Sequence, residues 1–143
     1  MTCCAVTAQT RSVADSSLLR ASDRSYADAT EFARFLDQHR IGVKSIHRSK
    51  LEGLFRGVTK AAFFKTDRGT LEVVFFPDNG AEKVSATERR EGQRYIYWFT
   101  GQPQPNSVTD TINAAYPEYF IMHGSWFIVT LDEKLYSTVK SLF

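Results

Sequence analysis

Adjacent aromatic residues recur at five places in the chain, and they constrain its fold more than any other feature of the sequence. They are Phe63-Phe64, Phe75-Phe76, Tyr97-Trp98-Phe99, Tyr119-Phe120 and Trp126-Phe127. Because successive residues of a β-strand point to opposite faces of a sheet, each group places rings on both sides. A sheet with one side open to water needs apolar residues on one face only. These aromatic doublets therefore predict a sheet that is apolar on both faces, each of which must be covered.

Helical patterns bracket the predicted strands. Apolar residues recur at helical spacing from Tyr26 to His39. Ser25 precedes this run and Asp28 follows Ser25 by three residues, which predicts a capping box at the start of the helix. A second helix is predicted over 133–142, with Asp132 as its N-cap.

Turn residues between apolar runs predict antiparallel hairpins. Asp67-Arg68-Gly69 joins one pair of strands and His123-Gly124-Ser125 joins another. The remaining predictions are strands over 82–88 and 94–100, a short helix from Ser107 to Pro117, and short irregular strands over 43–58. No long βαβ crossovers are indicated, which argues against a parallel sheet. The predicted fold class is α+β, with a single antiparallel β-sheet of about five to seven strands packed by an N-terminal helix and a C-terminal helix.

The length of 143 residues is typical of one domain, and a chain of this size buries roughly 70% of its unfolded surface. Residues 1–23 are rich in Ser, Ala, Thr and Asp and are expected to form a flexible leader. Residues 24–143 are then the single α+β domain.

The cysteines, Cys3 and Cys4, both lie in the expected leader, so neither a disulfide framework nor a cysteine zinc site is predicted for 24–143. One interpretation is an inert terminus of a cytoplasmic protein. The other is a truncated lipoprotein start, in which a lipidated cysteine anchors a periplasmic domain to a membrane. No apolar run of about 18 residues is present, so no membrane-spanning helix is expected.

Both faces of the predicted sheet need a cover, and two interpretations of that cover are open. Either the two helices cover one face while the middle loop and short helix cover the other, or part of one face lines a ligand pocket or a subunit contact. Tyr and Trp are amphipathic and are common at binding surfaces. Tyr95, Tyr97 and Trp126 are therefore the first candidates for contacts with a ligand or partner.

Positive charge is concentrated between Val43 and Arg68, where seven cations face two anions in a chain of net charge +2. Clustered cations beside aromatic rings suit nucleic acid, but the pI of about 8.6 and the lack of a nucleic-acid motif disfavour it. An acidic protein partner, or a charged sheet edge that discourages aggregation, explains the same segment. Its candidate binding residues are Arg48, Lys50, Arg56 and Lys60.

No motif in the chain predicts a cofactor or a metal. The histidines are His39, His47 and His123, and no two of them form an i, i+4 ligand pair on a predicted helix. A P-loop and a G-x-G-x-x-G sequence are both missing. A small enzyme that uses His47 or His123 stays an alternative. It requires that histidine in a cleft, with a carboxylate or hydroxyl within hydrogen-bond reach.

The run from Val43 to Phe55, VKSIHRSKLEGLF, is a short strand, a polar bridge and a Leu-x-Gly-Leu-Phe step that follows a helix and precedes a hairpin. This outline resembles the cystatin-like dimerisation domain of periplasmic disulfide isomerases. The resemblance implies a helix packed on a curved antiparallel sheet, and a homodimer. The redox Cys-x-x-Cys domain of that family is missing here, so no function is carried over.

The sequence therefore favours a small bacterial-type domain that acts without catalysis. It would bind a protein partner or a small apolar ligand through an aromatic sheet face or the basic segment. The small enzyme, and nucleic-acid binding through residues 44–68, are the alternatives. An open cavity or a flat apolar patch beside the doublets would support the binding function.

Overall fold

A computed structural model describes residues 15–52, 60–89, 94–99, 110–113 and 119–143, with the backbone alone for 83–89, 94–99 and 110–113. Two α-helices, a short 3-10 helix and eight strands make up this part of the chain. In chain order they are α1 (Tyr26–Gln38), β1 (Val43–Arg48), β2 (Ala61–Thr66), β3 (Gly69–Phe75), the 3-10 helix (Gly80–Lys83), β4 (Val84–Arg89), β5 (Arg94–Phe99), β6 (Asp110–Asn113), β7 (Tyr119–His123), β8 (Trp126–Thr130) and α2 (Glu133–Lys140).

Five of these strands form one antiparallel sheet in the order β1-β2-β3-β8-β7. The hairpins β2-β3 and β7-β8 turn at the predicted Asp67-Arg68-Gly69 and His123-Gly124-Ser125 loops. The α+β class, the antiparallel sheet and its two flanking helices are thus confirmed. The strands β4, β5 and β6 pair with one another in a separate three-stranded sheet.

Both α-helices pack on the same side of the five-stranded sheet, which we call the helix face. Phe32 and Leu36 of α1 join Leu135 and Val139 of α2 in one cluster with Phe64 of β2. All five side chains are buried. Full burial of an apolar side chain of this size contributes about 1.5–3 kcal/mol, so these contacts stabilise the packing of both helices on the sheet.

The aromatic doublets divide between the two faces as predicted. Phe64 belongs to the helix-face cluster while its neighbour Phe63 lies on the opposite side, which we call the second face. Trp126 packs edge-on against Phe32 of α1, with ring centroids 4.9 Å apart. Phe127 instead stacks on another second-face ring, that of Phe120, at 5.7 Å. The sheet is therefore apolar on both sides.

A row of directly opposed residues crosses the second face from β1 to β7. The register pairs His47 with Phe63, Phe63 with Glu72, Glu72 with Val129, and Val129 with Phe120. Four of these residues are apolar or aromatic, and Glu72 is the carboxylate among them. The row thus places a charged group near the middle of an apolar surface.

The open edge of β1 is covered by residues of the expected leader. The backbone N–H of Leu19 donates to the carbonyl of Ile46 at 3.0 Å, and that of Arg48 donates to the carbonyl of Ser17 at 2.7 Å. A covered edge does not present free N–H and C=O groups to another chain.

The N-terminal cap of α1 differs from the predicted capping box. Ser25 occupies the N-cap position, but its side chain makes no capping hydrogen bond. Its Oγ instead accepts a 3.0 Å hydrogen bond from the backbone N–H of Ala61, at the start of β2. Because both residues are fully buried, this donor has no access to water and the serine satisfies it.

The helix predicted from Ser107 to Pro117 is wrong for the described residues in that range. Residues 110–113 form β6, which pairs antiparallel with β5 through Tyr95 opposite Ile112 and Ile96 opposite Thr111. Thr111 and Ile112 are β-branched, which favours an extended strand once a partner strand is present. The prediction weighed the Ser and Asp cap signal and overlooked this preference.

The cap predicted for the last helix is confirmed. Asp132 accepts hydrogen bonds from the backbone N–H groups of Lys134 and Leu135, at 2.9 and 3.0 Å. The same carboxylate lies beside Gly69, so that a Cβ on this glycine would stand 3.1 Å from Asp132 Oδ2. The N-cap of α2 therefore lies directly beside the loop of the β2-β3 hairpin.

Candidate functional site

A cavity of about 130 Å³ opens on the second face of the five-stranded sheet. Strands β2, β3 and β8 form its floor, and Leu51, which follows β1, contributes a wall. Its lining is mostly apolar and consists of Leu51, Phe63, Thr70, Leu71, Glu72, Val129, Thr130 and Leu131. An apolar cavity of about 150 Å³ holds a benzene molecule, so this space is suited to a single ring or a branched aliphatic group.

Glu72 is the ionisable residue of this lining, and it is half-buried. Burial raises the pKa of its carboxyl group, while a hydrogen bond from Ser49 and the positive charge of Lys50 oppose that rise. The net direction is upward because desolvation disfavours the charged form more than these two contacts favour it. A carboxyl group perturbed in this way, inside a cavity, is typical of a functional site.

The contact from Ser49 holds one oxygen of Glu72 in place. Ser49 Oγ lies 2.6 Å from Glu72 Oε2 and also 2.9 Å from the backbone N–H of Leu51. The backbone N–H can only donate, so the serine oxygen accepts from Leu51 and gives its own hydrogen to Glu72. Among the described residues no hydrogen bond engages Oε1 of Glu72. The second oxygen is therefore left for another donor.

Trp126, one of the predicted binding residues, lies on the helix face and not beside this cavity. It is half-buried and packs against Phe32 and Phe35, with ring centroids 4.9 Å away in both cases. Phe143 adds a third ring at 6.2 Å. These contacts join α1, β8 and the end of the chain.

Tyr95 and Tyr97 lie two residues apart on β5, so they share one face of the three-stranded sheet. Tyr95 is opposite Glu88 and Tyr97 is opposite Ala86 on β4. The side chains of both tyrosines lie outside the described part of the structure. Their role in binding stays a prediction.

Two of the four predicted cations form ion pairs with residues near α1. Arg48 lies 3.2 Å from Asp23 and Lys60 lies 3.0 Å from Asp28. Exposed pairs of this kind contribute about 0–1 kcal/mol, so they leave the cations available for partners. Lys50 is exposed on the surface close to Glu72. Arg56 lies outside the described residues.

The three histidines occupy different environments. His39 ends α1, where its Nδ1 lies 2.8 Å from the carbonyl of Phe35. His123 is exposed in the β7-β8 hairpin and stacks on Phe143 at 4.2 Å. His47 is buried on the second face, 6.1 Å from the ring of Phe63.

Glu72 was missed by the sequence analysis, although the strand carries a signal for it. In the run Leu71-Glu72-Val73-Val74-Phe75 a single charged residue interrupts apolar neighbours, and both faces of that strand are apolar. A charge on a two-sided apolar strand must be buried or point into a cavity.

Within the described segments, no three His, Cys, Asp or Glu residues are close enough together to hold a metal ion. No helix among those segments has the length and apolar character needed to cross a membrane. No family model, curated protein or solved structure matches the chain.

Proposed function

We propose that the protein is a binding domain that takes a small amphipathic amine into the cavity on its second face. The apolar part of the ligand fills the space between Phe63 and Val129, and the amine meets the carboxylate of Glu72. The observation that carries this proposal is a half-buried carboxyl group inside an apolar, ring-sized cavity, with one oxygen that no residue in the described part of the chain engages.

The size of the cavity sets the apolar part of the ligand. A volume of about 130 Å³ accommodates a benzyl or isobutyl group but not a fused ring system. Small-ligand sites combine mostly apolar walls with a few placed polar groups, which is the composition of this lining.

The charge of the cavity sets the polar part of the ligand. Ionised Glu72 is costly in an apolar environment unless it is paired with a cation or a donor. An ammonium group compensates this cost through a charge-assisted hydrogen bond to Oε1, whereas a carboxylate ligand is repelled. Charge complementarity therefore favours an amine over a neutral or an acidic ligand.

The test compares three probes that share a benzyl group: benzylamine, benzyl alcohol and phenylacetate. Each is titrated into isotopically labelled protein at pH 7.5 and followed by the backbone NMR signals of Thr70, Glu72 and Leu131. A charge-assisted hydrogen bond exceeds a neutral one by about 1 kcal/mol, so benzylamine is expected to bind about fivefold more tightly than benzyl alcohol. Phenylacetate is expected not to bind.

Two variants separate the contributions of charge and space. Glu72→Gln keeps an acceptor for Ser49 but removes the charge, and it is expected to reduce the affinity for benzylamine to that for benzyl alcohol. Thr70→Phe places a ring at the exposed mouth of the cavity and is expected to abolish binding of both. Lys44→Phe adds a ring at another exposed strand position and is the matched control, with unchanged affinities.

Equal binding of phenylacetate and benzylamine would contradict the proposed role of Glu72. Signal changes confined to residues outside β2, β3, β8 and Leu51 would contradict the proposed place of binding. A homodimer in native mass measurements that is disrupted by Thr70→Phe would assign the cavity to a second copy of the chain instead of a small ligand.

A further inference from the structure

A hydroxyl, an imidazole and a second hydroxyl are joined by two hydrogen bonds at the edge of the second face, separate from the contacts of Glu72 in the cavity. Ser45 and His47 are two residues apart on β1, so both side chains point to this face. Ser45 Oγ lies 2.8 Å from His47 Nε2, and Ser17 Oγ lies 2.7 Å from His47 Nδ1.

Counting hydrogens fixes the direction of every bond in this chain of contacts. Ser17 Oγ lies 2.6 Å from Asp15 Oδ1, and a carboxylate can only accept, so the serine gives its hydrogen to Asp15. Ser17 Oγ must then accept from His47, which places the ring hydrogen on Nδ1. The other nitrogen, Nε2, carries a lone pair and accepts from the hydroxyl of Ser45.

Asp15 is held in its ionised form. Hydrogen bonds from the hydroxyl and the backbone N–H of Ser17 lower the pKa of this carboxyl group. Its Oδ2 lies 3.7 Å from His47 Nδ1, so the carboxylate stands beside the ring nitrogen that carries the hydrogen.

We propose that Ser45 is a nucleophile and His47 its general base in an acyl-transfer site for carboxylic esters of phenols. The arrangement has the three parts that such chemistry needs. They are a hydroxyl that is hydrogen-bonded to a base (Ser45), a base whose ring hydrogen has one place (His47), and an acidic group that orients the base (Asp15). Ser17 is a positioning residue, because it acts through His47. This activity goes beyond ligand binding in the cavity and does not depend on it.

The proposed reaction has two steps. Ser45 Oγ attacks the ester carbonyl carbon while its proton moves to His47 Nε2. The bond from the carbonyl carbon to the phenolic oxygen then breaks, and Nε2 returns the proton to the departing phenolate. Water next attacks the acyl group on Ser45 and gives a proton to Nε2. The bond between Oγ and the acyl group breaks, Oγ recovers the proton, and a carboxylic acid is released.

The surroundings of Ser45 set the substrate class. Lys65 lies directly opposite Ser45 in the β1-β2 register and its side chain is exposed. Side chains that are directly opposite start about 4.5–5.5 Å apart, so the ammonium group can reach an oxyanion formed at Ser45. A single cation at a solvent-accessible position stabilises an oxyanion less than a water-excluded site does. Phenolic esters, whose leaving group is good, therefore fit the site and amides do not.

The test uses 4-nitrophenyl acetate with the whole chain, and it follows both nitrophenolate release and acetylation of the protein. Peptide mapping is expected to place an acetyl group on Ser45. Neutral hydroxylamine is expected to remove this group, because it cleaves esters but leaves the amide of an acetylated lysine intact. An acetyl group found only on lysines, and resistant to hydroxylamine, would overturn the proposal.

Variants test the assignment of roles. Ser45→Ala and His47→Gln are each expected to reduce nitrophenolate release by about 100-fold or more, the usual contribution of a general base. Ser17→Ala is expected to slow the reaction, and Ser17→Thr, which retains the hydroxyl, to restore it. Ser137→Ala and His39→Gln change an exposed serine and an exposed histidine elsewhere and are the matched controls, with unchanged rates.

A rate in Ser45→Ala equal to that of the unmodified protein would overturn the proposal. So would a loss of activity in Ser17→Ala that Ser17→Thr does not restore. If a variant fails to fold, the hydroxylamine-sensitive acetyl group on Ser45 of the unmodified protein still decides the question.

Discussion

Ser49, which directly follows β1, donates a 2.6 Å hydrogen bond to Oε2 of Glu72, which lies 23 residues later in the chain, on β3. The contact fixes one oxygen of a carboxyl group whose pKa is raised by burial. It also ties Leu51, a wall of the cavity, to the same serine. The polar group of the proposed binding site is thus positioned before any ligand arrives.

The pH dependence of stability reports the burial of Glu72. Burial holds the pKa of Glu72 in the folded state above the ordinary value of a glutamate, so the folded protein binds this proton more tightly than the unfolded chain. The associated stabilisation is complete below the unfolded pKa and is lost as the pH rises through the folded pKa. The free energy of unfolding of the unmodified protein, relative to Glu72→Gln, is therefore expected to fall as the pH rises from the pKa of Glu72 in the unfolded chain through its higher pKa in the folded protein. Urea unfolding at a series of pH values measures it, and a difference that does not change with pH would contradict the raised pKa.

Ser25→Ala is expected to destabilise the protein by about 1–3 kcal/mol, because it leaves the buried N–H of Ala61 without an acceptor. Ser22→Ala removes an exposed serine three residues earlier and is the matched control, with a change within about 0.5 kcal/mol. Urea unfolding of both variants checks the prediction. Equal effects would show that Ser25 does not link α1 to β2.

Gly69→Ala is expected to cost about 1–3 kcal/mol, because Gly69 has φ of +132°, a backbone conformation that other residues rarely adopt. The new Cβ would also stand 3.1 Å from a carboxylate oxygen of Asp132. Gly42→Ala is the matched control, since its Cβ would stand 3.1 Å from Asp67 Oδ2 without a positive φ. Thermal unfolding measures the loss of stability in both variants, and the difference between them is the cost of the positive φ at position 69. A similar loss of stability in both would assign the effect to crowding alone.

Trp126→Leu tests whether a ring on the helix face contributes to stability without contributing to binding in the cavity. Because Trp126 packs on Phe32 and Phe35 on the helix face, its replacement is expected to lower the free energy of unfolding by about 1–3 kcal/mol. The affinity for benzylamine is expected to stay the same, since the cavity lies on the other face. A weaker affinity in a fully folded Trp126→Leu protein would restore Trp126 as a binding residue.

The sequence predicted the two-sided sheet because alternation along a strand is a local rule. Phe63 and Phe64 must point to opposite faces in any strand, whatever the rest of the fold does. The caps at Asp132 and the two glycine hairpins are local in the same sense, and the structure confirms them.

What the sequence did not predict depends on partners that are distant along the chain. Ser25 bonds to Ala61 and not to its own helix, and Ser17 reaches His47 across 30 residues. The expected helix around Asp110 is replaced by strand pairing to β5, a distant partner that makes the β-branched preference of Thr111 and Ile112 decisive. Glu72 is a candidate binding residue because the fold places Ser49 and the wall residue Leu51 beside it, and both lie more than 20 residues earlier in the chain.

The most direct test of the binding proposal is a crystal structure of the protein soaked with benzylamine. We expect the benzyl ring between Phe63 and Val129, with the ammonium nitrogen of the ligand within about 3.2 Å of Glu72 Oε1. A ring bound elsewhere, or a cavity that stays without benzylamine while the ligand occupies another surface, would contradict it.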